Sequence, residues 1–379
     1  MRSQKLVLKD LTFIRENAMP ICIFGAGKIG CGHGYEIVKM LNLKVDYYFD
    51  NDSHKWGCEI VDGIRCEPIS SLKKEYAYLL MGGDRFADEV KEQLTGIGAK
   101  VFITYSELCA LDIVIENFFK GDTYFCSDIE KKREKIINAD MRDYPHIPNK
   151  NKKDIAVYTC ITGDYDVFKE TEYISDRCDY YLISEKKPDD LKFYHWINIY
   201  DICPEYVTDN VRRNRFCKIN GDILFEEYQY SIYLDGNILP ANDISNYVYK
   251  TGKSGIGIHR HPVRQCLYAE GVQCIRGKKD DELTIRNQMS KYRQEGMPRE
   301  YGEFECCILV RDNKNILCRL IMRDWWREVY VHSYRDQLSF TYSLWKNGVR
   351  ADEIGNLGES RWKNNDFICA KKHKALNII

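Results

Sequence analysis

The sequence predicts a chain of two α/β domains, a small one built on a parallel sheet and a larger one that follows a linker. Three stretches predict it. Residues 20–24, Pro-Ile-Cys-Ile-Phe, read as a buried strand that opens on Gly25-Ala26-Gly27-Lys28-Ile29-Gly30 and then a helical pattern. Residues 144–153, Tyr-Pro-His-Ile-Pro-Asn-Lys-Asn-Lys-Lys, hold two prolines and a run of basic and amide residues, the composition of a linker. Residues 230–238, Tyr-Ser-Ile-Tyr-Leu-Asp-Gly-Asn-Ile, run an apolar strand into a tight turn that carries one carboxylate and one amide. A length of 379 residues suits two or three domains, each able to bury a core.

Composition narrows the function classes. Lys+Arg of 56 against Asp+Glu of 57 leaves a net charge of −1, so no overall field draws nucleic acid or an anionic membrane. The 27 Tyr and 6 Trp include rings of the kind that stack on sugars or bases, although most belong to the core. Sixteen cysteines do not read as a disulfide framework. The first ten residues hold no apolar signal core, and no cysteine pair has the C-x-x-C spacing of zinc or redox sites. Cys306-Cys307 lie in an apolar run and read as buried thiols. No segment approaches the ~18 uninterrupted apolar residues of a membrane span. The expectation is a cytoplasmic protein without a transmembrane segment.

In the first domain the helix after the glycines has Tyr35, Ile37, Val38 and Leu41 as its apolar positions, and a strand at 45–49 ends in Asp50-Asn51-Asp52. Gly25, Gly27 and Gly30 are expected to let a phosphate approach, and Asp50, an acid ~20 residues on, to take a ribose. The continuation, Asp50 to Gly57 and Asp62-Gly-Ile-Arg-Cys-Glu-Pro68, resembles the Rossmann-like domain that precedes glycosyltransferase, methyltransferase and sugar-acetyltransferase modules in bacterial surface-polysaccharide proteins. That likeness covers about the first hundred residues, and a UDP-sugar, another ligand or none all stay open for it. No acid/base pair for hydride transfer is visible, which ranks an NAD-dependent enzyme lower. Strands at 76–81 and 101–104 complete the sheet. Beyond it Ile113, Ile115, Phe118 and Phe119 read as helical, and the charges from Asp128 to Lys135 as a solvated helix face. The expected boundaries are 1–108, a connector at 109–153, and 154–379.

The second domain opens with a strand at 154–161 that ends in Thr162-Gly163-Asp164-Tyr165-Asp166. An α/β sheet places ligands outside the carboxyl ends of its strands, so Thr162 and Gly163 are candidate ligand contacts. A second strand follows at 179–184 and another near Trp196. On a helix over 210–218, Arg212, Arg215 and Lys218 share one face, which suits a diphosphate; an exposed helix is the alternative. Asp235 and Asn237 offer oxygens of the kind that Mg²⁺ or Mn²⁺ takes, while a strand closing in a plain Asp-Gly turn is the other reading.

Several motifs then occur in one order: Tyr158-Thr-x-Ile-Thr-Gly-x-Tyr165, the Arg/Lys helix, Ser231-Ile-Tyr-Leu-Asp-Gly-Asn-Ile238, and His261-Pro-x-Arg264 with Tyr268 and Glu270. After them come Gln288-x-x-x-Tyr292, Gly296-x-Pro298, Trp325-Trp326 and Ser333-Tyr-Arg-Asp-Gln-Leu-Ser-Phe340. This set resembles a family of glycosyltransferase-like domains long described as of unknown function, whose plant members are connected with mucilage polysaccharide and turgor regulation. The likeness runs over residues 154–346. It implies a GT-A-type, nucleotide-sugar-binding α/β fold and sugar transfer. A lipid-hydrolase activity attached to part of the family keeps a hydrolase as a rival.

The resemblance implies roles for single residues. A Mn²⁺ or Mg²⁺ ion would join Asp235 and Asn237 to the donor diphosphate, with Arg212, Arg215 and Lys218 assisting. Asn237 departs from the usual Asp-x-Asp and leaves the site one charge short. His261 and Arg264 would meet the leaving phosphates. Asp336-Gln337 resembles the Asp-Gln at the acceptor side of retaining galactosyltransferase-like enzymes, which would set Asp336 to orient an acceptor hydroxyl and Gln337 beside the anomeric carbon. A helix N-cap paired with Arg335 is the competing role for Asp336. Glu270 and Asp336 are the candidates for general base. At most one of His259 and His261 serves as a metal ligand, with His332 a second candidate. The basic tail, Lys371-Lys-His-Lys374, is loose or closes over the donor.

The expectation is therefore an N-terminal Rossmann-like domain and a C-terminal GT-A-type domain. Together they form a metal-dependent glycosyltransferase moving a sugar from a nucleotide diphosphate donor, a UDP-sugar first, to a glycan or surface-polysaccharide acceptor. A hydrolase of lipid or glycan, and a catalytically weak nucleotide-sugar-binding scaffold with polysaccharide-assembly partners, are the alternatives. A homo-oligomer stays open.

Overall fold

The computed structural model describes residues 2–125, 127–138 and 144–370. By its contacts the chain falls into two compact units, 1–121 and 122–379. The basic tail expected to be loose or closing lies outside the described residues.

The first unit is a six-stranded sheet with strands β1 (Ile21–Phe24), β2 (Tyr47–Phe49), β3 (Glu59–Val61), β4 (Ile64–Glu67), β5 (Ala77–Leu80) and β6 (Val101–Thr104), in the order β3-β4-β2-β1-β5-β6. All pairings are parallel except β3 with β4. Every residue of β1 and β5 is buried, because helices cover both faces of a parallel sheet. One face packs on α1 (Gln4–Glu16) through Val7, Leu11 and Ile14 and, beyond the short α2 (Lys28–Cys31), on α3 (His33–Met40) through Ile37 and Val38. The other packs on α4 (Asp84–Gly96) through Ala87, Val90 and Leu94. α5 (Tyr105–Cys109), started by a Thr104–Glu107 capping box, and α6 (Asp112–Phe118) close the unit. Two elements lie outside the sequence expectation: α1, and the antiparallel β3–β4 pair.

The second unit begins with α7 (Ser127–Asn138) and holds a seven-stranded sheet. Its strands are β7 (Ile155–Ile161), β8 (Cys178–Ser184), β9 (Tyr194–Asn198), β10 (Tyr230–Leu234), β12 (Ile256–Arg260), β13 (Phe304–Asp312) and β14 (Gly355–Asn356). A separate ribbon pairs β11 (Ile238–Pro240) with β15 (Phe367–Cys369). The order is β14-β12-β13-β10-β7-β8-β9, with β13 antiparallel to both β10 and β12 and the other pairs parallel. That pattern brings the carboxyl ends of β7, β10 and β12 and the amino end of β13 to one edge of the sheet. Both faces are covered. One carries α8 (Ile199–Ile202), α9 (Asn210–Ile219), α10 (Gly221–Leu224), α13 (Ile316–Val331) and α14 (Gln337–Lys346) over a core that includes Trp325 and Trp326. α11 (Leu267–Arg276) and α12 (Glu282–Gln294) pack against each other, and α11 also against α14. The opposite face buries Val157, Ile232 and Val310 beside β11 and β15. The α/β fold class read from the sequence, with a parallel-rich sheet in each of two units, is the one observed. No helix among the described residues is long and apolar enough to cross a membrane.

Candidate active site

The glycine loop of the first unit is closely built. Gly25 has φ +111°, and a Cβ there would lie 2.7 Å from the Met81 carbonyl oxygen. A Cβ on Gly30 would meet the Gly25 carbonyl oxygen at 1.8 Å, whereas Gly27 has open space around it. Asp50 accepts from the backbone N–H of Ala26 (2.8 Å) and Asp52 (2.9 Å) and from the Lys55 ammonium (2.9 Å). The acid expected for a ribose is thus turned back onto its own loop.

In the second unit a polar centre forms at the sheet edge where β7, β10 and β13 meet. Asp235 follows the last residue of β10, its N–H donating to the Cys307 carbonyl (2.9 Å) and its carbonyl accepting from Ile238 (2.8 Å), which closes the turn. A Cβ on Gly236, between the two candidate metal ligands, would lie 2.8 Å from Ile161 Cγ1 and 3.1 Å from an Asp166 carboxylate oxygen. The loop after β7 therefore lies directly on this turn, and only glycine admits both. Asn237 donates its amide to the Ala370 carbonyl (3.2 Å), and the Ala370 N–H donates to the Asn237 carbonyl (3.0 Å). An aspartate at 237 cannot donate the first of these bonds.

Helix α9 starts on an Asp209 cap that accepts from the Arg212 N–H (2.8 Å). Its first residue is tied to the β7 loop, since Thr162 Oγ1 donates to the Asn210 carbonyl (3.0 Å), while the Gly163 N–H donates to Glu185 (2.9 Å). Its last turn is held from inside the core. The fully buried Arg311 donates to the Lys218 carbonyl (2.7 Å), to Tyr158 Oη (2.5 Å) and to Ser231 Oγ (3.1 Å). A cation at a helix C-terminus satisfies the carbonyls that the helix leaves open.

The basic face of α9, expected to face a diphosphate, turns onto the segment 332–336. Arg212 donates to the His332 carbonyl (3.0 Å), and Arg215 to the Tyr334 carbonyl (3.3 Å) and to Asn214 (2.6 Å). Lys218, 2% exposed, places its Nζ 2.5 Å from Asp336 Oδ2 and 3.2 Å from Asp235 Oδ1. Burial acts to raise the Asp336 carboxyl, but Arg215, Lys218 and Arg335 override it and hold it well below the usual carboxylate range. For Lys218, burial acts to lower the ammonium, and Asp235 and Asp336 more than offset that, so its pKa is raised and it stays charged. Asp336 also caps α14, accepting from the Gln337 N–H (3.2 Å), which is the N-cap role expected of it, while its ion pairs run to Lys218 and Arg215. The Gln337 amide donates to the Phe304 carbonyl at the start of β13 (3.0 Å).

A second cluster holds His261, Arg264 and Glu270. Glu270 is fully buried, paired with Arg264 and 3.9 Å from the Lys279 ammonium. The imidazole of His261 accepts at Nδ1 from the N–H of Arg264 (3.0 Å), and burial with the neighbouring guanidinium brings its pKa down to about 3. Glu303 stands beside Glu270. Burial and that neighbour push its pKa well above the usual range, while Arg264, Lys279 and His261 outweigh burial at Glu270 and lower it. Burial acts to lower the Arg335 guanidinium, and Cys274, Asp336 and Glu270 more than offset it, so its pKa is raised. His259 is buried near Asn364, and His332 is buried with its Nε2 3.5 Å from Glu328.

Three residues of this centre were not among the sequence candidates: Asp166, Arg311 and Arg361, whose guanidinium lies in the field of Asp235 and Glu305. Asp166 was findable, because an acid in the loop after the first strand of an α/β domain stands where ligands bind.

The fold and this centre define a glycosyltransferase-like α/β domain. Residues 125–355 match the family described as TOD1/MUCI70, glycosyltransferase-like domain, and the chain belongs to that family. Among solved structures it is similar to the bifunctional glycosyltransferase WbbM at 11% identity and a TM-score of 0.36, over 56% of this chain and 40% of that one. It is similar to the galactosyltransferase LgtC at 13% identity and a TM-score of 0.30, over 52% of this chain and 72% of the other. For mouse xyloside xylosyltransferase 1 the values are 12% and 0.27, over 54% and 78%. The chain thus spans 40% of the length of WbbM. No curated protein matches the chain.

Proposed function

We propose that the second unit transfers a sugar from a nucleoside diphosphate donor, a UDP-sugar first, to a hydroxyl of a glycan or surface-polysaccharide acceptor. The observation that carries this reading is Lys218, buried between Asp235 on the donor turn and Asp336 on the segment assigned to the acceptor. In the transfer, the bond from the anomeric carbon to the diphosphate oxygen breaks and its electron pair leaves on that oxygen. The acceptor oxygen bonds to the same carbon, and its proton passes to an oxygen of the departing diphosphate. Charge grows on the departing diphosphate, and fixed cations at the sheet edge offset it without reorganising.

A divalent ion fits the turn. Asp235 and Asn237 present oxygens two residues apart, and the Asp166 carboxylate lies against the Gly236 between them, in space that a Cβ would fill. Among the described residues no group of three or more His, Cys, Asp or Glu forms a full protein cage. An ion at this turn would need diphosphate oxygens for the rest of its shell. When bound, Mn²⁺ or Mg²⁺ supplies positive charge to the diphosphate. Arg361, in the field of Asp235, is the side chain we assign to the phosphates. Asp336, kept ionised, takes the acceptor side with Gln337 shaping its approach, and Glu270 holds Arg264 in place. The chain's first unit is assigned a nucleotide-type ligand at Gly25–Gly30 only by its loop pattern.

The test is release of UDP from a panel of UDP-sugars with Mn²⁺, with and without oligosaccharide acceptors, by wild type and Asp235→Ala. Turnover with one donor, lost in Asp235→Ala, supports transfer at this site. Equal turnover in both proteins refutes it.

A further inference from the structure

We infer that Lys218 is a positioning residue, fastening the acceptor-side carboxylate Asp336 to the donor turn at Asp235, and that it does not serve as a ligand of the diphosphate. The inference rests on the transfer reading above and assigns this helix a different task from phosphate binding.

Three observations carry it. The ammonium is buried, donates to Asp235 Oδ1 at 3.2 Å and forms an ion pair with Asp336 Oδ2 at 2.5 Å. The ring of Tyr233 lies 5.3 Å from Nζ and backs it from the core side. Second, the helix end that carries Lys218 is fixed by Arg311 on its carbonyl, so the side chain starts from a rigid base. Third, the rest of the same face behaves alike: Arg212 and Arg215 donate to carbonyls of His332 and Tyr334. Three cations one turn apart thus dock on one short segment, 332–336. A diphosphate needs guanidinium forks that face open space; these face a neighbouring backbone.

The consequence is geometric. The next described cation to Asp336 is Arg215 at 3.7 Å, so Lys218 makes the closest ion pair with that carboxylate. Without it, a buried carboxylate loses its direct counter-ion and the 332–337 segment loses its tie to β10. Asp235 also loses its pairing with Lys218 but keeps its backbone bonds to Cys307 and Ile238, so the turn that donor binding uses stays in place.

The experiment is a double-mutant cycle with Lys218→Met, Asp336→Asn and the pair, read by UDP binding with Mn²⁺ in a calorimeter and by UDP release from the donor that wild type uses. Lys218→Met is expected to lower turnover at least 100-fold with the UDP Kd within threefold of wild type. In the Asp336→Asn background the same change is expected to cost less than threefold. Lys218→Arg, which keeps a cation between the carboxylates, is expected to retain at least a tenth of the turnover and covers the case in which Lys218→Met folds poorly. A tenfold weaker UDP Kd in Lys218→Met, or an equal loss in both backgrounds, overturns the inference. If wild type neither binds UDP nor releases it, the transfer reading falls, and the cycle is then read on urea midpoints alone. There, destabilisation by Lys218→Met that vanishes with Asp336→Asn supports the tie, and additive losses overturn it.

Discussion

Asn237→Asp puts a second carboxylate on the turn at Asp235, and two opposing effects follow from its surroundings. The Asn237 amide now donates to the Ala370 carbonyl at 3.2 Å. A carboxylate cannot donate, so one hydrogen bond disappears and two acceptors face each other across the β11–β15 ribbon. Losing a partner in this way costs about 1–3 kcal/mol, which in a unit of this size lowers the melting temperature by about 2–4 °C per kcal/mol. The same change adds a negative charge beside Asp235. We expect Mn²⁺ to bind at least tenfold more tightly, which is about 1.4 kcal/mol. The assay is thermal unfolding with and without Mn²⁺. Asn237→Asp should melt below wild type in chelator, and saturating Mn²⁺ should recover more of the loss than it adds to wild type. A variant that melts with wild type in chelator, or gains no more than wild type from Mn²⁺, refutes the account of Asn237.

Three further outcomes are expected. Gly236→Ala places a methyl 2.8 Å from Ile161 Cγ1 and 3.1 Å from the Asp166 carboxylate, which should cost about 1–3 kcal/mol in urea unfolding and weaken UDP binding at least tenfold by calorimetry. Arg311→Met leaves Tyr158, Ser231 and the end of α9 without their donor, and should cost about 3–5 kcal/mol in urea unfolding. His259 has its pKa lowered to about 4, first by burial and then by Lys250 and Arg361. Between the ordinary histidine value, about 6.5, and 4 the unfolded chain takes up the proton and the folded one does not. Stability therefore rises with pH across that window and falls on acidification, by about 2–3 kcal/mol at pH 4. His259→Asn should flatten the urea midpoint plotted against pH over that range, and an unchanged slope would contradict the assignment.

Local signals in the sequence carried much of this fold. β7 and β10 are apolar runs that end in Gly-bearing turns, so both strands and the Asp235 turn were legible from period and punctuation. The spacing of Arg212, Arg215 and Lys218 placed them correctly on one helix face. What that face packs against was not legible, because i, i+3 spacing fixes neighbours along a helix and says nothing of the segment 332–336, more than a hundred residues on. Arg311 stands next to the end of an apolar strand, and its burial depends on Tyr158, Ser231 and the end of α9, all remote in sequence. Asn237 looked like a weakened metal ligand. Its bond to Ala370, 133 residues away, gives the amide a structural reason. Asp50, the acid expected to take a ribose, accepts from Ala26 and Lys55, contacts that a motif spacing does not contain.

The central claim is that the Asp235 turn binds the donor's diphosphate. Calorimetric titration of UDP with Mn²⁺ into wild type and Asp235→Ala tests it most directly. The account predicts saturable, Mn²⁺-dependent binding by wild type, with affinity at least 100-fold weaker in Asp235→Ala. Equal affinity in the two proteins, or binding by wild type that Mn²⁺ does not change, would contradict it.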